Sequence, residues 1–175
     1  MENNMKNRQN IFLIGFMGAG KSSIAKELAR KLRMNIVEMD QRIVEEQGMT
    51  INKIFEEYGE DHFRDIESQL ILDLGNTEPV IVSCGGGVVI RPENSQYMKK
   101  SGKVVFLTAK PETIFERVRY SKDRPILNGN MNVEFIADLM AKRLPLYEAA
   151  ADVVIQTDGK PLSVIADEII KAVQG

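Results

Sequence analysis

The sequence is poor in several things that whole functional classes require. It contains one cysteine, Cys84, so an internal disulfide is excluded and a reducing, cytoplasmic setting is expected. No base stands beside Cys84, and it reads as a small buried residue. It contains one histidine, His62, which has no partner at metal-binding spacing and reads as a partly exposed helix residue. No run of about 18 apolar residues is present, so no membrane-spanning helix is expected. The first ten residues, MENNMKNRQN, are polar, lack the apolar segment of a secretory signal, and read as a short frayed tail. The net charge is only −2. Neither nucleic acid nor a membrane is therefore an expected partner, and any anion binding has to be local.

What is present points to one globular domain. The 175 residues are 43% hydrophobic and 27% charged, enough for a sizeable core. Five short apolar runs, at 10–14, 35–39, 80–83, 104–107 and 153–156, have strand length. Helical patterns lie between and after them, at 21–32, over a long stretch 41–74, and at 92–100, 111–119, 133–150 and 162–173. Strands alternating with helices predict an α/β fold with a parallel sheet. Strands buried on both faces account for runs such as VIVS and VVFL, which do not alternate. Residues 120–132, YSKDRPILNGNMN, carry Gly, Pro, three Asn and three charges, and are expected to form a mobile loop.

Residues 15–22, GFMGAGKS, match G-x-x-x-x-G-K-[ST] at every fixed position, between an expected strand and an expected helix. Glycines let successive backbone N–H groups turn inward toward phosphate oxygens. The following helix adds the positive end of its dipole. Lys21 brings a point charge to the β- and γ-phosphates, and the Ser22 hydroxyl suits Mg²⁺. A glycine-rich turn that merely carries Lys-Ser is the plain alternative. A dinucleotide loop would need G-x-G-x-x-G, whereas the glycines here run G-x-x-G-x-G with Lys-Ser directly after. The motif therefore predicts a site for a nucleoside triphosphate.

The acceptor side is less sharply written. The run VIVSC ends in Gly85, Gly86 and Gly87 without an acid. The acids nearest a strand end are Glu38 and Asp40, in NIVEMD. Asp40 either takes a proton from, or orients, an attacking hydroxyl, or it only caps the helix that follows. Glu38 falls on the same side by the two-residue period and would hold a metal-bound water. Three glycines after a buried strand mark close approach of backbone to another group. Arg64 and Arg143, each taken alone, read more readily as surface charges. Arg124 differs: it precedes Pro125 in the mobile loop, where an arginine closing on a transferring phosphoryl group would stabilise its charge.

In order along the chain stand GFMGAGKSS, EMDQRI, FRDIES, CGGGVV, RPIL, AKRLPLYEAAA and ADVVIQT. In this set the chain resembles the shikimate kinases, over residues 11 to about 170. The resemblance implies a three-layer α/β/α P-loop kinase fold of the nucleoside-monophosphate-kinase type, with parallel strand order 2-3-1-4-5. It implies a helical substrate-binding segment at about 41–74 and a lid at about 121–132, all within a single domain, 1–175. It implies ATP and Mg²⁺ as cofactors, shikimate as partner, and action as a cytoplasmic monomer. Gly18, Ala19, Gly20, Lys21, Ser22 and Ser23 would hold the nucleotide, with Arg117 against adenine and Arg124 reaching from the lid. Asp40 would bind the shikimate hydroxyls, Arg64 and Arg143 its carboxylate, and Gly85, Gly86 and Gly87 would offer backbone contacts. Lys21, Asp40 and Arg124 would be the catalytic set. Ser22 would ligate the metal, with Glu38 acting through water. The family commonly has D-x-D where this chain has Glu38-Met39-Asp40, a side chain one methylene longer. Two other readings stand beside this one: a related small-molecule kinase acting on gluconate or a nucleoside monophosphate, and a non-catalytic member that only binds ligand.

Overall fold

Asn10–Ile14 form strand β1, in which every residue is buried. Its side chains alternate between two cores. Phe12 and Ile14 enter one hydrophobic cluster. Ile11 and Leu13 enter the other. A strand with apolar neighbours on both faces has no polar face to show, hence its unbroken hydrophobicity. In the computed structural model, residues 8–119 and 132–175 are described.

Lys21–Leu32 form helix α1, followed by β2 (Ile36–Glu38), α2 (Met39–Gln47), α3 (Ile51–Tyr58) and α4 (Glu60–Leu74). Then come β3 (Ile81–Ser83), a 3₁₀ turn at Val88–Ile90, α5 (Pro92–Ser101), β4 (Gly102–Thr108) and α6 (Pro111–Val118). The order closes with α7 (Val133–Ala150), β5 (Val153–Gln156) and α8 (Leu162–Gln174). The described strands form one sheet in the order β2-β3-β1-β4-β5. All of its pairings are parallel. The expected three-layer fold and strand order are thus present. Helices α1, α6 and α8 cover one face through Ile24, Leu28, Ile114, Ile165 and Ile169. Helices α2 to α5 cover the other through Ile43, Ile54, Leu70, Ile71 and Met98.

The structure corrects the sequence reading in two places. The stretch 41–74 is three helices, not one. Gly48 ends α2 in the left-handed region with φ 67°, and its N–H bonds to Val44 O. Thr50 caps α3 by accepting from Lys53 N. Gly59 then separates α3 from α4. The second correction concerns Asp40. The strand ends at Glu38 and the helix begins at Met39, so Asp40 lies in the first turn of α2 and is not its cap. The expected lid at 121–132 and Arg124 lie outside the described residues, apart from Asn132. The Asn132 side chain caps α7 by accepting from Phe135 N at 2.7 Å.

Candidate active site

The carboxyl ends of β1, β2 and β3 open onto a cavity of about 260 Å³. Its walls are the 17–23 loop and helix start, Glu38, Asp40, the 83–86 turn and Arg117. This is the expected place for a ligand in an open parallel sheet.

One wall is the 15–22 loop. Gly15 starts it at φ 153°, and a Cβ there would stand 2.6 Å from the Leu107 carbonyl at the end of β4. Only glycine fits that approach. Gly20 precedes α1 in the left-handed region, so the loop delivers its amides and the helix N-terminus to one spot. Lys21 is buried, and its Nζ donates to Gly15 O at 2.6 Å and Phe16 O at 3.1 Å. Arg117, on α6, lies across the loop and donates from Nη1 to Gly18 O at 2.8 Å. Ser23 follows Ser22 in the first turn of α1 and also lines the cavity. Ala19 is packed inward instead, at 1% exposure.

Below the loop lies a set of oxygens. The Ser22 hydroxyl donates to Glu38 Oε2 at 3.0 Å and stands 3.5 Å from the Ser83 hydroxyl. The sheet register produces this grouping, because Glu38 of β2 pairs with Ser83 of β3. Oxygen donors without sulfur or imidazole suit a hard cation such as Mg²⁺, which keeps several waters and takes few protein ligands. Among the described residues no cluster of three or more His, Cys, Asp or Glu could hold a metal by itself. The longer glutamate reaches the Ser22 hydroxyl, so the departure from D-x-D leaves the oxygen set intact.

The other wall gathers residues from distant segments. A Cβ on Gly85 would stand 2.9 Å from both Asp40 Oδ1 and Glu67 Oε2. A Cβ on Gly87 would stand 2.6 Å from Arg64 Nη1 and 2.7 Å from its Cζ. The glycines therefore admit two carboxylates and a guanidinium to the same turn. Arg64 and Arg143, which taken singly read as surface charges, are 5% and 6% exposed. Arg64 donates to Glu67 Oε1 at 2.6 Å and to Glu60 Oε1 at 3.2 Å. Arg143 reaches Gly86 O at 3.4 Å and lies over the Phe16 ring at 5.8 Å. Two buried atoms here, Arg64 Nε and Glu67 Oε2, have no hydrogen-bond partner among the described residues. Such orphans cost free energy unless a ligand meets them. Burial holds the Glu67 carboxyl above its ordinary range, although Arg64 pulls the other way.

Sequence reasoning missed Glu67, Ser83 and Tyr147. Glu67 is fully buried three residues after Arg64 on α4, a spacing at which helix side chains meet. Tyr147 donates its hydroxyl to Gly86 O from one turn beyond Arg143. Ser83 had no local signal, since only the register brings it to Glu38. Cys84 is buried, and burial raises its thiol far above the usual range, as suits an inert residue. His62 is exposed on α4 and its ring lies tilted against Tyr58 at 4.8 Å, with no place in the cavity.

The comparisons agree with this geometry. The family model described as shikimate kinase matches residues 17–174. A shikimate kinase of Dehalococcoides mccartyi is 41% identical over 165 residues, covering 94% of this chain and 93% of that one. The solved shikimate kinase from Acinetobacter baumannii, in complex with shikimate, superposes with a TM-score of 0.92 at 30% identity, covering 99% of this chain and 97% of that one. A gluconokinase from Sinorhizobium meliloti aligns at a TM-score of 0.60 and 17% identity over 96% of this chain and 94% of that one, which shows a shared fold alone. With the phosphate loop and the oxygen set at one cavity, the two buried arginines packed against the glycine turn that borders it, and relatives matched along almost the whole length, the chain belongs to the shikimate kinase family.

Proposed function

We propose that this chain transfers the γ-phosphoryl group of ATP to the 3-hydroxyl of shikimate, giving shikimate 3-phosphate and ADP, in chorismate and aromatic amino acid biosynthesis. The observation that carries the proposal is the pairing of walls: a loop built for phosphates faces a turn lined by a carboxylate and flanked by two buried arginines.

Gly18, Ala19, Gly20, Lys21, Ser22 and Ser23 hold the triphosphate, and Arg117 lies against the base. Lys21 supplies positive charge where it accumulates on the transferring group, in a site that needs no reorganisation at that moment. Ser22, with Glu38 acting through water, would hold Mg²⁺, which would supply charge neutralisation at the phosphates. Asp40 takes a hydrogen bond from the acceptor hydroxyl and aims it at phosphorus. Arg64 and Arg143 bind the planar carboxylate, which a guanidinium matches with two donors. The amides of Gly85, Gly86 and Gly87 complete the acceptor pocket, and α2, α3 and α4 form the substrate-binding segment. Arg124 enters from the sequence alone, as a lid arginine. A single chain supplies every group, which favours a monomer, and the single Cys84 favours a cytoplasmic setting. None of the described helices is long and apolar enough to cross a membrane.

The test is ADP release with shikimate, quinate, gluconate and AMP as acceptors. Rapid release with shikimate alone is expected. Preference for gluconate or AMP replaces the proposed acceptor. Shikimate binding without turnover turns the chain into a non-catalytic binder.

A further inference from the structure

The carbonyls of the triple glycine are all held by protein donors. Val88 N bonds to Gly85 O and Ile90 N to Gly87 O, each at 3.1 Å. Gly86 O is different, because both of its donors are side chains of α7: the Tyr147 hydroxyl and Arg143 Nη1. Residues 143 and 147 are one turn apart, so one helix face presents both to one oxygen. The two bonds are unequal. At 3.4 Å the Arg143 contact is at the weak end of N–H···O geometry. The tyrosine ring is fixed. The residue is 2% exposed and stacks on Phe106 at 4.9 Å with 21° between planes. Burial pushes the phenol up to about 12, so it stays a protonated donor throughout the neutral range.

Arg143 thus has a weak tie to Gly86 O, while the carbonyl has a second and better donor. A carbonyl has two lone pairs, and the loss of one donor is cheap while the other remains. We propose that Tyr147 is a positioning residue for the acceptor site: its hydroxyl holds the Gly86 carbonyl by itself, so Arg143 can turn to the substrate carboxylate without orphaning that oxygen. The inference rests on the reading of Arg143 as a carboxylate ligand. It also gives the peptide between Gly86 and Gly87 a fixed direction. No peptide among the described residues is cis, so the N–H of Gly87 points away from the carbonyl that Tyr147 holds. Without the hydroxyl, Arg143 is the remaining side-chain donor to Gly86 O. Drawing it toward substrate then leaves an acceptor unpaired, and that cost is subtracted from substrate binding.

Tyr147→Phe keeps the ring and removes the bond. The expected result is a rise of about tenfold in KM for shikimate, with KM for ATP within about twofold and kcat moved less than KM. Its thermal midpoint should stay within a few degrees of wild type. In an Arg143→Ala background the same change should add less than about twofold to the shikimate KM, because no guanidinium is left to hold back. An equal rise in KM for both substrates, a large fall in thermal midpoint, or a full tenfold effect in the Arg143→Ala background means the hydroxyl only supports packing, and overturns the inference. So does an unchanged shikimate KM in Tyr147→Phe when Arg143→Ala raises it. If Arg143→Ala leaves the shikimate KM unmoved in an enzyme that turns shikimate over, the reading of Arg143 fails and the inference falls with it.

Discussion

Lys21 and Arg64 are both buried cations beside the same cavity, 9% and 5% exposed, yet they are held in different company. Lys21 sits on the carbonyls of Gly15 and Phe16, which carry partial charge only. Arg64 sits on the carboxylates of Glu67 and Glu60. A cation facing a buried carboxylate shares its charge, and what remains suits a singly charged ligand. On the proposed reading, the acceptor wall thus suits a weak anion. The glutamates also hold the Arg64 guanidinium in place before any ligand arrives, so less ordering is left for binding to supply.

Removing the lysine should break this contrast most severely. Lys21→Ala is expected to lower kcat by at least about 10²–10³-fold while the fold stays intact, because it removes charge from the developing transition state. Steady-state kinetics with a circular dichroism spectrum checks it, and a kcat close to wild type would remove the lysine from the chemistry. Next come two changes on the other wall that should be told apart by stability. Arg64→Ala and Gly87→Ala are both expected to weaken shikimate binding by about ten- to a hundredfold, with little change for ATP. Arg64→Ala also strands Glu67, at a stability cost on the order of 3 kcal/mol. Gly87→Ala instead pushes the guanidinium aside with its ion-pair partners still present. Titration calorimetry and denaturant unfolding read the two effects, and equal loss of ATP affinity would show that the walls are not independent.

A smaller effect is expected where the walls meet. Glu38→Gln should raise the magnesium concentration for half-maximal rate severalfold, since it removes charge beside Ser22, whereas Glu38→Asp should be tolerated. An unchanged magnesium dependence in the Gln variant would make Glu38 a spacer. The smallest effect concerns Glu67. Its folded-state carboxyl is raised above the ordinary 4.5, with burial as the main cause. The folded form therefore holds its proton more tightly than the unfolded chain does. The associated stability is fully present below 4.5 and is lost as pH rises through the raised value. Denaturation midpoints from pH 4 to 7 should fall less steeply in Glu67→Gln than in wild type, and parallel curves would place the titration elsewhere.

The phosphate loop was legible because eight contiguous residues carry it and the flanking strand and helix confirm its setting. The sheet was legible for a similar reason, since each strand is a run buried on both faces. Glu38 and Asp40 both line the cavity, but not for the reason the sequence offered. The two-residue period does not apply to a pair that straddles a strand end and a helix start. Arg64 and Arg143 carried no local sign of burial. Arg64 pairs with Glu67 three residues on and Glu60 four before, spacings that surface pairs share. Arg143 meets Gly86 and Phe16 from distant segments, and only packing against the glycine turn distinguishes the two arginines. Gly48 and Gly59 did stand in the sequence as stops in the 41–74 stretch, but the apolar period runs across them. Ser83 was invisible because its neighbour comes from sheet register.

The contact between Gly15 and the Leu107 carbonyl has a consequence for the life of the chain on the ribosome. The motif at 15–22 emerges early, but the strand that presses its first glycine into shape ends at residue 108. At synthesis rates of about 5–20 residues per second, the motif waits roughly 5–20 s for that strand. In that interval it is a flexible glycine-rich segment with no fixed array of amides. Nucleotide therefore cannot guide the early steps of folding, and a fragment spanning only residues 10–32 would carry the full signature and hold no phosphate. ATP binding instead reports, and by mass action rewards, a sheet already joined through its middle strands.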